Sequence, residues 1–299
     1  GRLARFAFWI NSLWSGWEMF RYIRKSTEPV YSRDELVLFL LSFFRKGLTF
    51  EAHNFSSRRK FFYRRLIKKN IKVVAINGRL KQEFLDIGFL NQNVLVAHDG
   101  VDLTQFQNSK SQREARQSLG LPENGKIIMY TGHFFHWKGV DTLISAAALL
   151  PTNYLVVVVG GNKAEPPSIK LLSPERNVIF QGFQSHEKIP DYLSAADLLV
   201  LPNRGDNRKV LYTSPLKLFE YMAAGKPIVA SDLSSLKEVL NDKNAVFFNP
   251  GDPMSLKLAI DKILNNKELA DLISQQAKKD VEKYTWACRA RDILYFIEQ

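Results

Sequence analysis

Short runs of Val, Ile and Leu alternate along this chain with stretches whose apolar positions recur at helical spacing. The first such series begins with an aromatic-rich helix over 8–24. It continues with a strand at Pro29–Ser32 and a helix from Glu35 to Lys46, capped by Ser32 or Asp34 and stopped by Gly47. A strand from Leu48 to Ala52 ends at His53-Asn54, and a basic amphipathic helix follows. Then come a strand at Lys72–Ile76, a helix at Gly78–Ile87, and a strand at Asn93–Ala97 that runs into His98-Asp-Gly-Val-Asp102. A polar stretch from Leu103 to Asn124 reads as a junction between domains. Beyond it the alternation restarts, with strands at Lys126–Thr131, Tyr154–Val159, Val178–Phe180, Leu198–Leu201, Ile228–Ala230 and Ala245–Phe248. The helices between them include Val140–Leu150 and Ile189–Ala195, and an aromatic helix closes the chain at 284–299. Strands alternating with helices, without hairpin signals, predict right-handed crossovers and parallel sheets, an α/β class. Ligands of doubly wound sheets lie beyond the carboxyl ends of the strands.

The stretch Ser214-Pro-Leu-Lys-Leu-Phe-Glu-Tyr-Met-Ala-Ala-Gly-Lys-Pro-Ile-Val-Ala-Ser231 is the most fully punctuated. Ser214 suits an N-cap, Pro215 the first helical position, and Gly225 with Pro227 the stop. Free amides and a positive dipole end at such a start suit a phosphate. Glu220 shares a face with Leu216 and Lys217. Lys217 and Glu220 therefore form either an ordinary surface pair or part of a site.

Length and charge sharpen this picture. The 299 residues suggest two domains, and a hydrophobic fraction of 45% suits globular cores. One cysteine, Cys288, precludes an internal disulfide or a thiolate metal cluster and fits a reducing, cytoplasmic setting. The net charge is +12, and residues 1–100 hold 18 Lys and Arg against 8 Asp and Glu. The clusters Arg58-Arg-Lys60 and Arg64-Arg65, interleaved with Phe61, Phe62 and Tyr63, read either as a solvated helix face or as a peripheral contact with an anionic membrane. Nucleic acid is not expected, because no recognition motif accompanies the charge. No stretch is long and apolar enough to span a membrane; Phe6–Trp17 and Leu36–Phe44 are too short. The chain begins at Gly1, so it is expected to lack part of its natural N-terminus.

Several strand ends carry candidate chemistry. Gly132 and Lys138-Gly139 bracket a strand-to-helix loop that is either a plain turn or a diphosphate cradle with a lysine charge. His53 either bonds a substrate hydroxyl or holds its own loop. Gly160-Gly161 lacks the third glycine and the helix of a dinucleotide fingerprint, which disfavours an NAD-dependent oxidoreductase. Five scattered histidines show no ligand spacing, so no metal site is expected.

Three stretches together resemble the donor-binding domain of retaining glycosyltransferase family 4, the glycosyl transferases group 1. They are Tyr130-Thr-Gly-His-Phe-Phe-His-Trp-Lys-Gly-Val-Asp141, then Gln181-Gly-Phe183 with Ala196-Asp-Leu-Leu-Val-Leu-Pro202, then Ser214 to Ser231. Gly100-Val-Asp102 and Glu51-Ala-His-Asn54 fit the acceptor side of the same family. The resemblance implies a GT-B fold: two Rossmann-like doubly wound domains facing across a cleft, an incomplete acceptor-side domain at 1–103 and a donor domain at 104–283. The helix 284–299 would cross back to the first domain.

The resemblance further implies a metal-independent hexosyltransferase that takes a UDP- or GDP-linked sugar as substrate, needs no cofactor, and acts on a glycan or lipid-linked acceptor in polysaccharide synthesis. By position, Glu220 would hold the ribose, Lys138 the diphosphate together with the backbone of Thr213 to Leu216, and Gly182, Phe183 and Gln184 the base. His53 would face the transferred sugar, and Gly132 and His133 would line the donor. Two departures stand out: Tyr212 occupies a position that is acidic in many members, and His133 one that is often arginine. Lys217 or Arg204 is the expected source of the missing charge. The alternative is a GT-B scaffold that has lost its chemistry.

Overall fold

The computed structural model describes residues 14, 17, 18, 20–23, 26, 28–161, 177–206, 208–212 and 214–299. Most of the expected first helix, the apolar segment Phe6–Trp17 and Thr213 lie outside these residues; within the helix, residues 17, 18 and 20–23 are helical and Phe20 is buried. The chain divides into two units, residues 1–98 with 289–299, and residues 99–288.

The first unit holds four parallel strands in the order β1 (Val30–Ser32), β2 (Leu48–Ala52), β3 (Lys72–Ala75), β4 (Val94–Val96). Sequential neighbours joined by helices are what the alternating pattern requires. Every residue of β2 is buried, consistent with a sheet covered on both faces. The helix at Glu35–Leu41 is capped by Asp34, whose carboxylate accepts from the amides of Leu36 and Val37. It stops five residues before the expected Lys46, because Ser42 is claimed from elsewhere: Arg65 donates to both the Ser42 hydroxyl and its carbonyl. On the basic helix Lys60–Lys68, Phe62, Tyr63 and Leu66 face the core, while Phe61 stands exposed among the cationic residues. Lys72 Nζ donates to the carbonyls of Phe296 and Ile297 near the end of the helix Trp286–Glu298, and Ile293 packs with Val74 and Ala97.

The second unit contains six parallel strands in the order β10-β9-β8-β5-β6-β7. In sequence they are β5 (Lys126–Gly132), β6 (Tyr154–Gly160), β7 (Val178–Gly182), β8 (Leu198–Leu201), β9 (Ile228–Ser231) and β10 (Val246–Phe248). The order runs outward in both directions from β5 and β8, so the switch point lies between those two strands. The polar stretch 103–124 is folded: helices form at Thr104–Gln107 and Gln112–Leu119, the second opened by a Ser111–Glu114 capping box, and Ala115 and Leu121 enter the core. Its hydrophilic composition hides one buried arginine. Arg116 donates to Asp197 Oδ2 at 2.6 Å and to the carbonyls of Ala195, Glu123 and Gly125.

No helix among the described residues is long and apolar enough to cross a membrane, and among them no cluster of three His, Cys, Asp or Glu side chains could hold a metal.

Candidate active site

The loops that leave β5 and β8 meet at the switch point, and glycine makes the approach possible. Gly139 has φ +70°, and a Cβ there would stand 1.7 Å from the Pro202 carbonyl oxygen. Arg204 ties the same two loops. Its amide donates to the Trp137 carbonyl, and its guanidinium donates to Asp141 at 2.6 Å and to Asp206 at 3.0 Å. His136 also reaches Asp206, at 3.2 Å. The Arg204 charge is thus neutralised locally, leaving Lys217 as the candidate for the missing cation. Gly160 has its own steric reason. A Cβ there would lie 2.2 Å from the Gly132 carbonyl oxygen, so this glycine serves close approach of the β5 and β6 ends.

This stitching presents Lys138 at the carboxyl edge of the sheet. Its ammonium lies 3.9 Å from the centre of the Trp137 ring, and burial pushes its pKa down to about 8. His133 is exposed; its carbonyl accepts from the Tyr130 hydroxyl and its ring stands 5.4 Å from that of Phe135.

The helix after β8 spans Leu216–Ala223, one position later than the punctuation predicts. Pro215 occupies the N-cap position, and no side chain caps the start. The Ser214 hydroxyl instead accepts from the amide of Asp99, 115 positions earlier. The helix is fixed to β5 by Tyr221, whose phenol oxygen accepts from the Thr131 amide at 2.7 Å. Lys217 and Glu220 are not a surface pair. The Lys217 ammonium is turned inward, 3.7 Å from the centre of the Tyr130 ring, and the Glu220 carboxylate bonds His186 Nε2 at 2.8 Å. His186 belongs to none of the sequence motifs, although it follows Gln184 by two residues.

The structure therefore gathers Gly132, Lys138, Lys217 and Glu220 at the switch point. Gly182 ends β7 with φ +67°, Phe183 is 74% exposed, and Gln184 donates back to the Gln181 carbonyl. Tyr212, half-buried, ends a short 3-10 turn at Arg208–Tyr212.

In the other unit, His53 at the end of β2 bonds Glu51 Oε1 at 2.7 Å, and Arg289 bonds the same oxygen at 2.9 Å. Burial by itself raises a carboxyl pKa. Here hydrogen bonds from His53 and Tyr31, with the Arg289 charge, outweigh it and hold Glu51 down at about 2. A depressed carboxyl contributes stability above its unfolded pKa and loses it as pH falls towards the folded value. We expect acidification from about pH 4.5 to 2 to remove on the order of 3 kcal/mol through this group. Urea unfolding at pH 6 and pH 3 checks this: Glu51→Gln is destabilised at pH 6 and shows a shallower acid dependence, whereas equal slopes would refute the assignment.

Two parallel-sheet α/β units are the building blocks of a GT-B fold, and solved structures share the fold. HepE from Anabaena, in complex with UDP and glucose, superposes with a TM-score of 0.78 at 20% identity, covering 95% of this chain and 81% of that one. A glycosyltransferase from Rickettsia africae superposes with a TM-score of 0.80 at 19% identity, covering 96% and 80%. The model of the family Glycosyl transferases group 1 matches residues 111–280, more than half of the chain, and the chain belongs to that family. An uncharacterized glycosyltransferase of Methanocaldococcus jannaschii is 28% identical over 229 residues, 73% of this chain and 57% of its own length. The chain spans about half the length of the curated relatives it matches.

Proposed function

We propose that the protein is a retaining, metal-independent glycosyltransferase that moves a hexosyl group from a UDP- or GDP-linked sugar to a glycan or lipid-linked acceptor. The observation that carries this reading is the convergence of Lys138 and Lys217 with Glu220 at the switch point of the six-stranded sheet. Two ammonium groups match a diphosphate, and a carboxylate in the second turn of the adjoining helix matches the hydroxyls of a ribose. As the bond from the anomeric carbon to the diphosphate oxygen breaks, negative charge grows on the leaving group. Cations already in place stabilise that charge without reorganisation. The acceptor hydroxyl then attacks the face the diphosphate leaves, which retains configuration, and its proton departs with the diphosphate. His53 is assigned to the acceptor side. The UDP and glucose bound by HepE support the donor class. A lipopolysaccharide core mannosyltransferase of Rhizobium meliloti, 30% identical over 186 residues, 58% of this chain and 49% of its own length, supports a glycolipid acceptor.

The test is release of UDP or GDP from UDP- and GDP-hexoses in the presence of bacterial glycolipid extract. Glu220→Ala, which removes charge-assisted bonds to the ribose, is expected to weaken donor binding about 10- to 100-fold and to reduce release in step. Absence of release by the unmodified chain with every donor, or full activity in Glu220→Ala, would refute the proposal.

A further inference from the structure

The first turn of the helix Leu216–Ala223 inverts the usual order of polar and apolar positions. Leu216 is 49% exposed, while the neighbouring Lys217 sends its ammonium into the protein. A lysine on an amphipathic helix ordinarily extends its apolar stem along the surface and keeps its charge in water. Here the nitrogen is buried and has no hydrogen-bond partner among the described residues. It lies over the Tyr130 ring and so close to Gly132 that a Cβ on that residue would come within 2.7 Å of it. Gly132 thus keeps open the space in which the ammonium sits. A buried, unbonded ammonium is costly, and a ring face offsets only part of that cost. Such a break with local pattern at the carboxyl edge of a switch-point strand marks a functional position.

Resting on the nucleotide-sugar reading above, we propose that Lys217 is a second diphosphate-binding cation, acting with Lys138, and that donor binding at this pair draws a proton from solution. Among the described residues, three side chains act on the Lys217 charge. Tyr130 faces it from β5, Lys138 repels it from the loop after β5, and Glu220 attracts it from its own helix while bonded to His186. Burial first, and then Lys138, push the Lys217 ammonium well below the usual lysine range, with Glu220 opposing them. A diphosphate adds negative charge beside both lysines and restores the protonated form. Where the pH exceeds the free-state pKa of a lysine that takes up a proton, the affinity then falls with rising pH, by at most about tenfold per unit for each proton taken up.

The test is calorimetry on the purified chain with UDP, GDP and uridine at pH 8, in buffers of different ionisation enthalpy. Lys217→Met, with Lys217→Gln as a second neutral form, is expected to weaken the nucleoside diphosphate that binds by about 10- to 100-fold. Uridine affinity should stay unchanged and the proton uptake should fall. A merely structural lysine would move uridine and UDP together, or neither. Unchanged diphosphate affinity in folded Lys217 variants overturns the inference alone, as does an unmodified chain that binds the diphosphate without proton uptake. An unmodified chain that binds neither diphosphate overturns the donor-site reading and this inference together.

Discussion

Gly139→Ala is expected to lower stability by about 3 kcal/mol or more and to remove the nucleotide binding proposed above even where the chain remains folded. The methyl group would need to occupy space 1.7 Å from the Pro202 carbonyl oxygen and 2.7 Å from its carbon, both backbone atoms without a rotamer to change. The β5 and β8 loops must then separate. That movement breaks the Arg204 amide bond to Trp137 and shifts the adjoining Lys138. Positive φ contributes as well, and Gly120→Ala isolates this part: Gly120 has φ +64°, and a Cβ added there would meet nothing within 4 Å, so strain alone costs it about 1 kcal/mol. Thermal denaturation of both variants, with UDP and GDP binding, makes the comparison. Equal destabilisation of the two would show that loop contact at Gly139 is unimportant.

Asp197→Ala is expected to cost about 3–5 kcal/mol, a drop of roughly 6–20 °C in midpoint for a unit of this size. Asp197 accepts from Arg116 at 2.6 Å and from the Ile127 amide at 2.7 Å, and Gln112 adds a longer bond. The Arg116 side chain is only 5% exposed, so removing the carboxylate leaves a guanidinium charge in the interior with carbonyl partners alone. Asp197→Asn, which retains an acceptor for Ile127, should cost less. The double variant Arg116→Met, Asp197→Leu should recover much of the loss, because the penalty lies in an unpaired buried charge more than in the absent bond. Chemical denaturation of the three variants decides the matter; a double variant as unstable as Asp197→Ala would contradict that account.

The series of strands is legible because most are short, largely apolar runs bounded by punctuation. The pattern predicts Leu48–Ala52, Leu198–Leu201 and Ile189–Ala195 with the ends observed. Differences arise where a distant residue competes for a local group. The helix from Glu35 ends early because Arg65 takes Ser42, and the Ser214 hydroxyl goes to Asp99 instead of to its own helix. The stretch 103–124 resembles a linker because its charged residues dominate its composition, yet one of them, Arg116, is buried against Asp197. The site shows the same division. The family resemblance singles out Lys138 and Glu220, whereas His186 belongs to no motif and emerges only as the partner of Glu220.

From its sequence alone, the chain is an α/β protein with parallel sheets, a basic front third and strand-end loops carrying Lys138, His53 and the helix of Glu220. Period, caps and glycines act over a few residues, and that range suffices for such features. Partnership was settled by the fold. Arg204 is held by Asp141 and Asp206, and Lys217 lies inward over Tyr130 while Leu216 faces water. The reason is that a charge's environment depends on groups dozens of positions away, brought together by sheet order, and no spacing within the helix encodes which of two adjacent residues will be desolvated.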